Sequence, residues 1–276
     1  MKTKKRIFGT AAYVFLSAAA LVCLFPLWMA LMNSFKTNGE LLVNVMSLPR
    51  QIKLDNYIRT LEKMHYFRSL VNTVVLAVCG VGMMVLFSAL AGWRLCRTKT
   101  KLSGFLFSLF VFSMLIPFSS IMIPLYRVVL TLGIKNSLLG LSLVYAGLGV
   151  SMAVFLYHGF VKGIPYELEE AAAIDGCGLL MTFFRVLMPL LTPITATVVI
   201  TNVLWVWNDF LLPLIVVSRN EKYTLLLSTN TLFGQYQSDW TAILSALILA
   251  AVPMIVFYGL FQRRILQGIA DGAVKG

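Results

Sequence analysis

Apolar runs long enough to cross a bilayer recur along the whole of this sequence, and they dictate the solvent in which it folds. A helix that crosses the hydrocarbon core needs about 20 predominantly apolar residues. Runs of that kind cover about Ala11 to Met32, Ser69 to Trp93, Leu102 to Tyr126, Ser137 to Phe160, Pro189 to Val217 and Thr241 to Phe261. Hydrocarbon offers no water to backbone N–H and C=O groups, so each run is read as a helix. The expected fold is an all-α polytopic membrane protein with six transmembrane helices. Only 12% of the residues are charged, against about 25% in a soluble domain.

A net charge of +12 invites a nucleic-acid partner. The basic residues are not gathered on one polar face, however. They sit in short clusters beside apolar runs, as in membrane proteins that keep Lys and Arg cytoplasmic. The expected contact is membrane lipid and no nucleic acid. Lys2, Lys4, Lys5 and Arg6 precede the first run, and Arg94, Arg97, Lys99 and Lys101 follow the second, with no acid among them. An even number of spans puts both termini on one side. The clusters place that side in the cytoplasm, making the chain a multi-pass protein of the cytoplasmic (inner) cell membrane. Small residues at Gly80, Gly82, Ser88, Ala89, Ala91 and Gly92 predict close helix contact along the second span.

The first run passes beyond Ala18-Ala19-Ala20 and is too long for a secretory h-region. It is read as an uncleaved span, kinked at Pro26. Residues 1–68 then form an N-terminal cytoplasmic tail, first span and external connection. Residues 69–262 form the transmembrane core, and residues 263–276 a cytoplasmic C-terminal tail. A turn at Leu54-Asp55-Asn56-Tyr57 predicts a short amphipathic helix in the connection.

No Walker-type, HExxH, GxSxG or GxGxxG signature is present in the sequence. No catalytic, metal or cofactor-binding residue is therefore expected, and the chain is not read as an enzyme. Cys23, Cys79, Cys96 and Cys177 lack CxxC spacing and read as small buried hydrophobes. His65 and His158 stand alone, which suits interfacial or helix-contact roles.

One polar stretch interrupts the pattern, from Val161 to Leu187. Ile164-Pro165 predicts a helix start, because Pro is favoured at the first helical position. Glu167, Glu169 and Glu170 crowd the first turn, at the positive end of the helix dipole. Ala171, Ala172 and Ala173 are strong helix formers of little bulk, and Asp175-Gly176 supplies the stop. A second segment runs from Gly178, and Met188-Pro189 and Thr192-Pro193 return the chain to the bilayer. Such a loop can be a plain hairpin between spans. It can equally be a docking element whose alanine face enters a groove on another protein.

Glu170-Ala171-Ala172, Asp175-Gly176, Pro189 and Pro193 resemble the EAA loop of bacterial ABC importer permease subunits. Trp207-Asn208-Asp209-Phe210 with Pro213, and the tail Gln267 to Gly276, resemble the carbohydrate-uptake branch. Within that branch the tail resembles in particular the second permease subunit of maltose-type transporters. The sequence departs from the pattern at Cys177, where the family usually has Ala. The resemblance implies a cytoplasmic coupling helix between spans four and five, with Glu170, Ala171, Ala172, Asp175 and Gly176 docking an ATPase. It implies as partners a second permease subunit in a heterodimer, two copies of a cytosolic ATPase and an extracytoplasmic solute-binding protein. ATP and Mg would be held by the ATPase, with no cofactor in this chain. ATP binding would switch the pathway from inward- to outward-facing, and hydrolysis would reset it.

Few ionisable residues fall within the runs, Asp209 being the main exception. Amides, hydroxyls and aromatics are available instead: Asn72, Ser113, Tyr145, Asn202, Trp205, Trp207, Asn208. Asn202, Trp205, Asn208 and Asp209 are the foremost substrate-path candidates. Neutral hydrogen bonders beside rings suit a sugar, but the same residues can simply knit helices together. A permease for another solute class is the nearer alternative. A self-sufficient secondary transporter is the more distant one, and it would be expected to show inverted repeats and mid-membrane acids.

Overall fold

Apolar length and proline placement together decide which helices run unbroken. The computed structural model describes residues 2–234 and 239–273. In chain order its α-helices are α1 (Lys2–Ser34), α2 (Asn38–Val43), α3 (Asp55–Lys63), α4 (Tyr66–Arg97), α5 (Lys101–Ser113), α6 (Phe118–Thr131) and α7 (Leu138–Val161). There follow α8 (Glu167–Ile174), α9 (Leu179–Thr182), a π-helical segment Phe183–Leu187, α10 (Met188–Leu190), α11 (Thr192–Asn208), α12 (Leu211–Val216), α13 (Leu225–Ser228) and α14 (Trp240–Ala273). Among the described residues there is no strand.

Among the described residues, four helices are long and apolar enough to cross a membrane singly: Ala12–Ser34 of α1, all of α4 and α7, and Trp240–Gln262 of α14. Two further pairs of helices reach that length and apolarity only together, each bent at a break. α5 and α6 meet at 107°, and Leu179–Leu190 meets α11 at 77°. With each pair taken as one span, the total is six.

The third and fifth runs, each expected as one continuous span, are bent, which corrects that expectation. Pro117 has no N–H to give and pushes the residue before it out of helical geometry. The chain loosens ahead of it into i−3 bonds from Met114, Leu115 and Ile116, Pro117 itself is extended (ψ 141°), and helix restarts at Phe118. Pro193 likewise gives no N–H to the Pro189 carbonyl, and the Thr192 hydroxyl donates to it instead at 2.6 Å. The fifth run also ends earlier than read, at Asn208, with α12 a separate short helix. Pro26 by contrast lies inside an unbroken α1. α14 continues past the expected end of span six as far as Ala273. Of the Gln267 to Gly276 stretch, residues 274–276 lie outside the described residues.

The chain divides into two compact units. The first comprises residues 1–67 and 228–256. Here the expected amphipathic helix is α3, and polar groups organise the connection around it. The Lys36 ammonium is fully buried and donates to Asn33 Oδ1 at 2.8 Å and to the Asn44 and Val45 carbonyls at 3.0 and 3.2 Å. Asn56 ties down the same bend through the carbonyls of Ser34 (2.7 Å) and Lys36 (2.8 Å).

The second unit comprises residues 68–227 and 257–276. Its core is built from Leu76, Met84 and Ala89 of α4, Leu141, Tyr145 and Tyr157 of α7, and Val198 and Val206 of α11. Small residues set the α4–α7 distance. A Cβ on Gly92 would fall 2.7 Å from Tyr157 Cβ and 3.0 Å from His158 N. Gly80 also faces α7, whereas Gly82, expected to do the same, has open space around it. His158 makes a helix contact, its ring stacked on Phe107 at 3.8 Å between centroids.

Candidate functional site

The polar loop folds into α8 followed by a tight turn. Its helix begins at Glu167, later than the Pro165 start expected from sequence, with Tyr166 as the cap. The Tyr166 carbonyl accepts from both Glu169 N (2.9 Å) and Glu170 N (3.2 Å), so helical bonding starts just after the proline. Glu167, Glu169 and Glu170 occupy the first turn, where unsatisfied N–H groups favour negative charge. The far end closes as a Schellman turn. Cys177 N donates to the Ala172 carbonyl at 2.9 Å and Gly176 N to that of Ala173 at 3.0 Å. Gly176 carries φ +81°, a conformation that glycine adopts freely.

The helix has two unlike faces. Glu170, Ala171, Asp175 and Gly176 are exposed. Ala172 is buried in its own chain, so it is separated from the other four residues of the EAA pattern. Ile174 is 87% exposed, and Leu179 and Leu180, past the turn, are 62% and 66% exposed. An exposed acid, small residues and bare aliphatic side chains thus share one short stretch.

Glu169 turns the other way. Its Oε1 accepts from Arg97 Nε at 2.7 Å and its Oε2 from Trp93 Nε1 at 2.9 Å, both on α4. Arg97 also donates to the Ile164 carbonyl at 2.8 Å and lies over the Tyr166 ring, 5.5 Å from its centroid. From sequence alone Glu169 is one more first-turn acid and Arg97 a charge flanking a span. The available signal was the spacing of Trp93 and Arg97, four apart at the end of a span and hence on one helix face.

The substrate-path candidates are spread among structural roles. Asn72, read as a pathway residue, donates to the Glu221 and Tyr223 carbonyls, both at 2.9 Å, and so pins the segment after α12. Ser113 pairs with Ser151 at 2.6 Å. Asn202 and Asn208 donate back to Val198 and Leu204 of their own helix. Asp209 sits at the break between α11 and α12, bonded by the Tyr145 hydroxyl at 2.9 Å, with the half-exposed Trp205 edge-on to the Tyr145 ring. The structure brings Trp205, Asp209 and Tyr145 together, while the Asn202 and Asn208 amides bond within α11.

Up to six spans, two of them bent pairs, and a short helix with three acids in its first turn on the loop before the last bent pair suit a membrane transport subunit. Residues 84–270 match the family described as binding-protein-dependent transport system inner membrane component, and the chain belongs to that family. It is 38% identical over 258 residues to the probable starch degradation products transport system permease protein AmyC of Thermoanaerobacterium thermosulfurigenes, covering 93% of each chain. It is 33% identical to the multiple sugar-binding transport system permease protein MsmG of Streptococcus mutans, covering 100% of each. Among solved structures, the fold matches a bacterial ABC transporter involved in the import of the acidic polysaccharide alginate. That match has a TM-score of 0.82 at 21% identity and covers 94% of this chain and 97% of the other.

Proposed function

We propose that the chain is one of two permease subunits of an ATP-driven importer for a sugar or oligosaccharide, in the cytoplasmic membrane with both termini inside. The other subunit completes the pathway. Two cytosolic ATPase subunits hold ATP and Mg, and an extracytoplasmic binding protein delivers the solute. The observation that carries this reading is α8. It is held from beneath by Glu169 while Glu170, Ala171, Asp175 and Gly176 stand exposed at its other side and end. Those four residues dock the ATPase, with Glu170 offering charge to a basic group and Ala171 permitting close approach. The names of the relatives, which concern starch degradation products and multiple sugars, support a carbohydrate as the cargo. Trp205 beside Asp209 and Tyr145 offers a ring and polar atoms to such a solute. Asn202 and Asn208 belong to the same path, their side-chain carbonyl oxygens serving as hydrogen-bond acceptors.

The test is co-purification of the tagged chain after gentle solubilisation, beside a Gly176→Pro variant. Proline demands φ near −65° and is incompatible with the turn. A second permease and an ATPase are expected with the wild type, and the ATPase is expected to be lost from the variant. Reconstituted uptake of labelled oligosaccharide should then require ATP and the binding protein. Uptake without ATP, by a chain that purifies without an ATPase, would overturn the reading.

A further inference from the structure

We propose that Glu169 is a positioning residue that ties the coupling loop to span two, so that displacement of α8 moves α4 together with the two spans flanking the loop. This rests on the reading of the loop as the ATPase docking element. Chain continuity alone joins α8 to α7 on one side and to α9–α11 on the other. α4 is remote in sequence, with Arg97 lying 72 positions before Glu169. Its connection is therefore non-covalent, and Glu169 supplies two hydrogen bonds to it.

The connection is built to hold. Both carboxylate oxygens are occupied, one by Arg97 Nε and one by Trp93 Nε1. The two charged side chains are 14% and 9% exposed. Exposed ion pairs contribute little. A buried pair resists opening because either partner alone would be an uncompensated charge. Arg97 reaches Ile164 and Tyr166 as well as Glu169, so one guanidinium grips both the entry to α8 and its first turn. Trp93 extends the junction, its ring lying 5.4 Å from that of the buried Phe183 in the π-helical segment. One residue before Trp93, Gly92 lets α4 approach the backbone of α7. Trp93 and Arg97 thus join α4 to α8 through one carboxylate, with the π-helical segment packed on the Trp93 ring. Neighbouring acids divide the work: Glu170 faces out toward a partner, and Glu169 faces in toward the spans.

The test uses the reconstituted complete importer with Glu169→Ala, and Trp93→Phe as a second variant that keeps the ring against Phe183 but removes the N–H donor. Three quantities are read: ATPase retained on co-purification, ATP hydrolysis, and solute moved per ATP. With Glu169→Ala, the ATPase should remain bound and hydrolysis continue, while solute moved per ATP falls about tenfold, within the usual range of coupling between sites. Trp93→Phe should shift the same ratio in the same direction by a smaller factor. An unchanged ratio in an assembled Glu169→Ala complex would overturn the tether. So would loss of the ATPase from that variant, which would make Glu169 a docking residue. If Glu169→Ala does not insert, the ratio in Trp93→Phe decides by the same criteria. If the wild-type complex itself carries no ATPase, the docking reading has failed, a result separate from either outcome in the variants.

Discussion

Tyr145 donates its hydroxyl to Asp209 Oδ2 at 2.9 Å, fastening α7 to the break between α11 and α12. The other carboxylate oxygen accepts from Leu211 N at 3.0 Å and Leu212 N at 3.4 Å, which starts α12. The two partners are not equivalent. Tyr145→Phe removes one donor and leaves Asp209 its backbone bonds. Asp209→Ala leaves the hydroxyl of a fully buried tyrosine without its acceptor and uncaps α12 as well. Asp209→Ala should cost about 1–3 kcal/mol, and Tyr145→Phe about 0.5–1.5 kcal/mol. Thermal unfolding of both variants in detergent measures the difference, and a larger loss in Tyr145→Phe would contradict the arrangement.

Gly176 is constrained by its backbone alone. A Cβ there would meet nothing within 4 Å, yet φ is +81°. Alanine in the left-handed region costs about 1–2 kcal/mol, while asparagine tolerates that region better. ATPase retention on co-purification should fall in the order Gly, Asn, Ala, Val. A ranking by side-chain size alone, with Ala above Asn, would show that the groove on the partner rather than the turn sets the requirement.

Gly92 is constrained by space. In Gly92→Ala the new Cβ would press on Tyr157 Cβ and on backbone atoms of α7 at 3.0 and 3.2 Å, and such overpacking costs about 1–3 kcal/mol. Gly82→Ala, on the same helix with nothing within 4 Å, should be neutral or stabilising by up to about 1 kcal/mol through helix propensity. Melting temperatures of the two variants should therefore move apart, and equal destabilisation would show that the α4–α7 contact is more yielding than its geometry indicates.

The spans that were legible are those in which hydropathy is the whole story. α4 extends the Ser69 to Trp93 run by a few residues at each end, and α7 matches the Ser137 to Phe160 run to within one residue at each end. The bends at Pro117 and Pro193 were not legible, because a proline in an apolar run either kinks a span or breaks it, and neighbouring contacts decide which. Ser113, four residues before Pro117, is held by Ser151 of α7, a partner that no local pattern reveals. The turn that ends α8 could be read from Asp175-Gly176, since its geometry is local. The inward role of Glu169 could not, since both its partners lie on α4. Asn72 was assigned to the pathway for its chemistry, and its two acceptors turned out to be backbone carbonyls, which every residue carries and no sequence pattern marks.

Asp239 gives the first unit a pH dependence. Burial alone would raise the pKa of its carboxyl. Opposing that, Ala242 N donates to it at 3.1 Å, Asn38 at 3.0 Å and Thr241 at 2.9 Å, and Arg59 lies 3.4 Å away. The donors and the guanidinium outweigh burial, and the carboxyl is held below the ordinary aspartate value of 3.8. A group whose pKa is depressed by folding stabilises the fold above its unfolded value, and that stabilisation is lost as pH falls through the folded value. Wild type should therefore exceed Asp239→Ala in resistance to denaturant at neutral pH. The gap should begin to close as pH drops below 3.8, the ordinary aspartate value. Denaturation midpoints of the two proteins across an acid series test this. A gap that widens toward acid would show that burial, rather than the donors around Asp239, governs the carboxyl.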